Sequence, residues 1–229
     1  MHVPDGFLDA PTSVATGVVA ATAVALSLRG ARRELDDRTA PMAGLVATFV
    51  FAAQMINFPV GAGTSGHLMG GALAAVLVGP WTAVLCLSVV LLVQALLMAD
   101  GGITALGTNI TLIGIVTVAV GWVVFVGLRR VLPKRLGMVA PAAAVAALVS
   151  VPVAALVFTG LFAVGGNIEV DLGAVLTAML GWHTVIGLGE AVVTGLVVAS
   201  VVAARPDLVH GARPLLVERE LELRDGVHR

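Results

Sequence analysis

The sequence predicts an all-α integral membrane protein: a bundle of seven transmembrane helices with the N-terminus outside and the C-terminus in the cytoplasm. Three observations support this fold class. The composition is apolar, with 59% hydrophobic and 12% charged residues and a mean hydropathy of +1.04, whereas a soluble domain carries about 25% charged residues. Long apolar runs recur along the chain, and the basic residues gather in a few connections between them.

Seven apolar runs are separated by short polar connections. Most of them reach the roughly 17–25 residues that a helix needs to cross a bilayer. The run from Leu68 to Gly79 is short, and by itself it is also compatible with a re-entrant segment. The runs lie at about 13–28, 42–58, 67–79, 82–99, 107–128, 139–164 and 183–204.

The basic residues favour seven crossings. With seven spans, all 13 lysines and arginines fall on one side, as the positive-inside rule requires of the cytoplasmic face. If residues 68–79 did not cross the membrane, the basic residues of the fifth connection would lie on the opposite side from those of the first. Residues 1–204 are therefore predicted to form the membrane-embedded domain and residues 205–229 a short, charged cytoplasmic tail. The basic positions are Arg29, Arg32, Arg33 and Arg38, then Arg129, Arg130, Lys134 and Arg135, then the arginines from Arg205 onward.

The composition also excludes several classes of function. A formal net charge of −1 without a basic, aromatic-lined patch gives no indication of nucleic-acid binding. Cys86 is the only cysteine, which excludes disulfides and clusters of thiolate ligands. The chain has no phosphate-binding ATPase motif and no soluble domain. Any ATP-driven process would depend on partner proteins, and the chain itself is not expected to be an enzyme.

The N-terminus carries the most informative motif, Met1-His2-Val3-Pro4-Asp5-Gly6. A histidine in the second position places three nitrogens in one chelate: the free α-amine, the His2 amide and the His2 ring Nδ1. Amine and amide close a five-membered ring around a metal ion, and amide and Nδ1 close a six-membered ring. Such square-planar nitrogen coordination suits Ni(II) or Cu(II), with cobalt as a chemical neighbour. The prediction requires an unmodified N-terminus, and no basic leader with a cleavage site precedes it.

A second histidine, His67, is a candidate for the open corner of the plane. It ends the loop Gly61-Ala62-Gly63-Thr64-Ser65-Gly66-His67, whose small residues would let the loop fold inward. Taken alone, His67 is equally typical of a residue that forms a hydrogen bond at a helix start. Asp5 and Gly6 form a turn signal that would bend the N-terminal strand back, and Asp5 is either plain turn chemistry or an acceptor for an imidazole N–H.

Four polar residues lie in apolar surroundings: Gln94, Asn109, His183 and Glu190. His183 and Glu190 are seven residues apart and so share a helical face. Gln94, Asn109 and His183, together with Asp5, are predicted to order the N-terminal segment inside the bundle. The alternative is hydrogen bonding between helices. No basic residue lies in any span, so Glu190 needs a hydrogen-bond partner or stays protonated, and its role is left open.

Besides metal binding, which is the first hypothesis, two other functions remain possible at this point. Gly63-Thr64-Ser65-Gly66 matches the G-x-S-G pattern of intramembrane serine proteases, with His183 as the base for Ser65. This pattern is weak in a glycine-rich chain, and it leaves the N-terminal motif without a purpose. A metal-independent scaffold or channel is the third hypothesis.

Four separated segments resemble the CbiM/NikM family, the cobalt- and nickel-binding membrane subunits of energy-coupling factor (ECF) transporters. They are MHVPDGFL, GTSGHLMGGALAAVLVGPW at 63–81, LLVQALLMADGGITALGTNI at 91–110 and GWHTVIGLGEAVVTG at 181–195. The resemblance implies a metal site formed by the N-terminal amine, the His2 amide and ring, and His67. Co(II) or Ni(II) would be the transported ion rather than a cofactor.

The resemblance also implies partners. They are an ECF transmembrane scaffold subunit, two cytoplasmic ATPase subunits and a small additional membrane subunit, all in the cell membrane of a prokaryote. Some relatives carry extra C-terminal helices fused to this core, and this chain has only a short tail. Its short form is more similar to the cobalt members.

Overall fold

The fold is described from a computed structural model, which covers residues 1–37, 39–61 and 64–218. Within these residues the main elements are seven helices, with one two-stranded hairpin between the second and the third and short helical turns in the connections and the tail. The strands, β1 and β2, pair antiparallel. The elements are α1 (Ala10–Glu34), α2 (Ala40–Gln54), β1 (Phe58–Gly61), β2 (Thr64–Gly66), α3 (Gly71–Val78), α4 (Pro80–Leu97), α5 (Leu106–Val131), α6 (Val139–Gly165) and α7 (Leu172–Ala204).

The helix starts follow local sequence signals. The Asp9 carboxylate accepts a hydrogen bond from Thr12 N at 2.9 Å and so caps α1. Asp171 caps α7 in the same way through Ala174 N. These caps satisfy N–H groups that have no partner within the helix. Pro80 opens α4, at a position where the missing N–H costs nothing.

The short third helix differs from a continuous span. α3 has only eight residues, all buried, and at 1.5 Å per residue it covers about 12 Å of the roughly 30 Å hydrocarbon core. Gly70 and Gly79 flank it with φ angles of 78° and 95°, which residues with a side chain rarely adopt. Non-helical backbone at membrane depth is tolerated where it is buried in protein, and the helices around α3 provide that cover.

Five helices are long and apolar enough to cross a membrane on their own: α1, α4, α5, α6 with its preceding turn, and α7. The chain is accordingly a multi-pass membrane protein. α2 is apolar but has only 15 residues. The count of seven crossings and the orientation of the termini stay predictions, since the helix lengths alone do not decide how α2 and α3 cross.

The packing core is built largely from small residues. In α6, Ala142, Ala143, Ala146 and Ala147 are fully buried, which allows neighbouring helices to approach closely. The N-terminal segment, residues 1–9, joins the core at one end of the bundle: Met1, Val3 and Phe7 pack with residues of α5, α6 and α7. This end of the bundle holds the predicted ligands.

The opposite end brings together α1, α4 and the beginning of the tail. The Glu34 carboxylate accepts hydrogen bonds from the N–H groups of Trp81 and Thr82. The Glu34 carbonyl accepts one from Arg213 Nη1 at 2.9 Å. Val209 and Ala212 are buried, so the first residues of the tail pack against the bundle. The tail residues from Arg219 onward, which alternate in charge, lie outside the described residues.

Candidate metal site

The N-terminal segment is buried inside the bundle. Met1 and Val3 each keep 1% of their surface exposed, and His2 keeps 6%. Asn109, on α5, holds Val3 from both sides: its Oδ1 accepts from Val3 N at 2.7 Å, and its Nδ2 donates to Val3 O at 3.1 Å. Gly102 N also donates to Val3 O. These hydrogen bonds attach the segment to α5, and the ordering role of Asn109 at a metal site stays a prediction.

The turn at Asp5 fastens the segment to the start of α5. Its carboxylate accepts hydrogen bonds from the main-chain N–H and the hydroxyl of Thr104, and the hydroxyl in particular holds the pKa of Asp5 below its usual range. Gly6 follows with a φ of 76°. These contacts agree with the turn interpretation of Asp5. Within the described residues its carboxylate forms no hydrogen bond with an imidazole, because the turn directs it toward Thr104.

Two glycines after α4 allow the segment to approach. A Cβ at Gly101 would lie 2.9 Å from Asn109 Nδ2 and 3.3 Å from His2 Cδ2. A Cβ at Gly102 would collide with the main-chain nitrogen and Oδ1 of Asp5. The N-terminal segment can reach its position only because both residues lack a side chain.

We expect Gly102→Ala to displace residues 1–5 and to weaken metal binding, because the new methyl group overlaps Asp5. Overpacking of this kind costs about 1–3 kcal/mol. Gly181→Ala is the matched control, since nothing lies within 4 Å of a Cβ at that helical position. Titration of both purified variants with Ni(II) checks the prediction, and equal affinity for the two would contradict it.

The His2 ring lies between Gln94 and Asp100. Its Nε2 is 3.1 Å from Gln94 Oε1, and its Nδ1 is 3.0 Å from Asp100 Oδ1, which forms an ion pair with the ring when the ring is protonated. The negative charge of Asp100 favours a cation at Nδ1, either a proton or a metal ion.

In His67 the ring nitrogen without a hydrogen bond is Nε2, whereas the proposed ligand atom of His2 is Nδ1. Its Nδ1 lies 2.7 Å from the carbonyl oxygen of Leu68, which only accepts, so the proton is on Nδ1. Nε2 then carries a lone pair, and it is buried and has no hydrogen-bond partner. The His67 and His2 rings are stacked, with centroids 4.3 Å apart and planes inclined by 25°. The structure thus brings together two histidines that are 65 positions apart in the sequence.

The main-chain nitrogens of the segment are also buried. Burial lowers the pKa of the Met1 amine from 8.0 to about 4, although the nearby charge of Asp100 acts in the opposite direction. A neutral amine carries the lone pair that a metal ligand requires. Across residues 1–37, 39–61 and 64–218, neither this amine nor the His2 amide forms a hydrogen bond.

His183 lies fully buried on α7, and its Nδ1 bonds to the Met179 carbonyl of its own helix. Its Nε2 has no partner. Among the described residues it makes no hydrogen bond to the N-terminal segment, and its ordering role stays a prediction. Ser65 is also not bonded to His183, and the structure therefore gives no support to a serine–histidine pair.

Side chains alone do not form a metal cluster here. In the part of the chain that the structure covers, no group of three or more His, Cys, Asp or Glu residues is arranged to hold a metal ion. The arrangement around His2 and His67 provides two imidazoles, and any further nitrogens would come from the main chain. A site of this composition depends on the docked N-terminal segment.

Asp100 was not among the predicted site residues. Its place six positions after Gln94 and directly before Gly101 and Gly102 indicates only a helix end. The structure places its carboxylate beside His2, the position predicted for Asp5. Asn57 Nδ2 also donates to Asp100, at 3.3 Å.

Comparison with known proteins identifies the family of the chain. Residues 2–208 match the family model described as the cobalt uptake substrate-specific transmembrane region, CbiM. The chain belongs to the CbiM family. It is therefore a membrane protein of a cobalt and nickel transport family, as the sequence resemblance implied.

Individual relatives support the assignment. A Haloquadratum walsbyi protein named for metal transport is 39% identical over 209 residues, covering 91% of this chain and 93% of the relative. The fused nickel transport protein NikMN of Rhodobacter capsulatus is 35% identical, covering 99% of this chain and 69% of that longer protein. A crystal structure of a truncated transition metal transporter superposes with a TM-score of 0.82 at 28% identity, covering 89% of this chain and 99% of the other.

Proposed function

We propose that this CbiM-family chain captures Co(II) or Ni(II) outside the cell and delivers it to an ATP-driven importer. The observation that carries the proposal is the burial of Met1 and His2 against His67, with the lone pair of His67 Nε2 left without a partner. The proposed ligands are the Met1 amine, the His2 amide and Nδ1, and His67 Nε2. Titration of the purified chain with Ni(II) or Co(II) tests the proposal, and we expect one ion per chain.

The surrounding residues have separate tasks in this proposal. Gln94 contacts Nε2 of His2 and so orients the ring, and Asn109 holds the segment at Val3. Asp100 supplies negative charge beside His2. Asp5 anchors the turn through Thr104. His183 adds a buried polar group to the bundle that surrounds the site.

The four-nitrogen plane accounts for part of the selectivity. Zn(II) prefers a tetrahedron and Mg(II) an octahedron of oxygens, so a rigid plane disfavours both. Cu(II) normally binds nitrogen sites more tightly than Ni(II) or Co(II), and the ions available outside the cell would have to limit it. The ligand set accepts both cobalt and nickel.

The proposal includes partners because the chain contains no ATPase motif. We propose that an ECF transmembrane scaffold subunit and two cytoplasmic ATPases supply the energy, together with a small additional membrane subunit. The chain would lie in the cell membrane of a prokaryote, with seven crossings, the N-terminus outside and the tail in the cytoplasm. The concentration of basic side chains at the Glu34 end supports this orientation.

Metal affinity is expected to fall as the pH drops from 8 to 5. The pKa of the Met1 amine is 8.0 when exposed and about 4 when buried, so below pH 8 the exposed segment binds a proton that the docked segment must release. Docking is most favourable above pH 8 and weakens toward pH 4. Titration with Ni(II) at several pH values checks this, and a constant affinity would contradict the ligand set.

A further inference from the structure

Glu190, on α7, is a buried carboxylate whose partners are main-chain N–H groups. Its Oε2 accepts from Met69 N at 2.7 Å, and its Oε1 accepts from Gly70 N at 2.9 Å. The residue is 2% exposed. Burial of a carboxylate is costly, and within the described residues no salt bridge joins Glu190 to a basic side chain. Its two hydrogen bonds are the interactions that offset this cost.

A single peptide group connects Glu190 to His67. The Met69 N–H belongs to the same planar unit as the Leu68 carbonyl, and that carbonyl accepts the hydrogen bond from His67 Nδ1 at 2.7 Å. The carboxylate and the imidazole therefore bind opposite ends of one peptide.

The next peptide is fixed in the same manner. Its N–H, from Gly70, donates to Glu190 Oε1, and its carbonyl, from Met69, accepts from Gln54 Nε2 at 2.8 Å. Gln54 is fully buried. Two consecutive peptides after His67 are thus held at both ends, in a stretch that is neither helix nor strand.

We propose that Glu190 is a positioning residue for His67 and acts through the Leu68–Met69 peptide. This inference rests on the proposed function. The carboxylate fixes the plane of the peptide, and the peptide fixes the orientation and tautomer of the ring, leaving the Nε2 lone pair for the metal ion. Hydrogen bonds in a chain polarise one another. The carboxylate therefore also makes Nε2 of His67 a stronger electron-pair donor to a metal ion. Carboxylates and carbonyls bonded directly to metal-binding histidines have the same effect.

The chain contains a matched control. Glu34 is also a buried carboxylate that accepts hydrogen bonds from two main-chain N–H groups, those of Trp81 and Thr82. It lies beyond the opposite end of α3, and its carboxylate is not bonded to the loop of His67. Replacement of Glu34 therefore measures the general cost of losing such a carboxylate without changing the environment of His67.

The test compares Glu190→Gln with Glu34→Gln in the full-length chain, purified in detergent and titrated with Ni(II). A glutamine keeps one accepting oxygen but replaces the other with an NH₂ group, which cannot accept from an N–H. For Glu190→Gln we expect affinity to fall about 10-fold or more, as for loss of other groups that orient a ligand. The visible ligand-field band of the saturated complex should also shift. Glu34→Gln should retain the native affinity and band.

Native affinity and an unshifted band in Glu190→Gln would overturn the inference, as would equal changes in both variants. If Glu190→Gln does not fold, Glu190→Asp replaces it: a shorter carboxylate should also weaken binding and shift the band, and native behaviour would overturn the inference. A native chain that binds no Ni(II) overturns the proposed function itself. If the native chain binds Ni(II) through its N-terminus and Glu190→Gln binds it equally well, only this inference is overturned.

Discussion

Addition of one glycine before Met1 is expected to weaken Ni(II) and Co(II) binding by more than about 100-fold. The extra residue moves the amine out of the chelate while every side chain stays in the sequence. Loss of groups that only orient a metal ligand costs about 10–100-fold, and loss of a ligand should cost more. Met1 is also only 1% exposed, so an added residue would have to displace the side chains packed around it.

The matched control is a chain with one glycine added after Arg229, which changes the length equally and leaves the N-terminus intact. Metal content and visible absorption of both purified forms give the readout. Equal binding by both forms would mean that the amine is not a ligand. His67, His183 and Glu190 would then be the residues to examine.

His67→Ala is expected to produce the second large loss. It removes the proposed fourth nitrogen and leaves the three nitrogens of Met1 and His2, so the affinity should again fall by more than about 100-fold. The absorption band of any residual complex should also change. Equilibrium titration and absorption spectra of the saturated variant measure both effects.

Ser65→Ala is the control for this variant, since it lies two positions away in the same loop. It should bind metal like the native chain, whereas a serine protease would lose its activity. A His67→Ala variant with native affinity and native uptake would contradict the proposed ligand set and favour a metal-independent scaffold or channel.

Local sequence signals predict much of the fold. The apolar runs correspond to helices α1 to α7. A helix is expected there because it forms all its backbone hydrogen bonds within itself, as an apolar environment requires. Asp9 and Asp171 mark helix starts, since a carboxylate there meets N–H groups without partners. The run at 67–79 is the exception. Gly70 and Gly79, in left-handed conformations, confine α3 to eight residues, and sequence alone does not show which glycines adopt that conformation.

The residues of the candidate site differ in how far the sequence points to them. Met1, His2 and His67 stand out because the chelate geometry is local and His67 follows a run of small residues. The carboxylate beside His2 was assigned to Asp5, yet it is Asp100. Asp5 has a closer partner in Thr104, and no local pattern shows that the end of α4 lies against the N-terminus. Glu190 was identified as buried and acidic, but its partners are main-chain groups 120 and 121 positions away.

The most direct test of the account is X-ray absorption spectroscopy of the native chain loaded with Ni(II). It reports the number, type and geometry of the ligand atoms without any substitution. The account predicts one ion per chain with four nitrogen donors in a square plane, including imidazole. A six-coordinate, oxygen-rich shell, or a shell without imidazole, would contradict it.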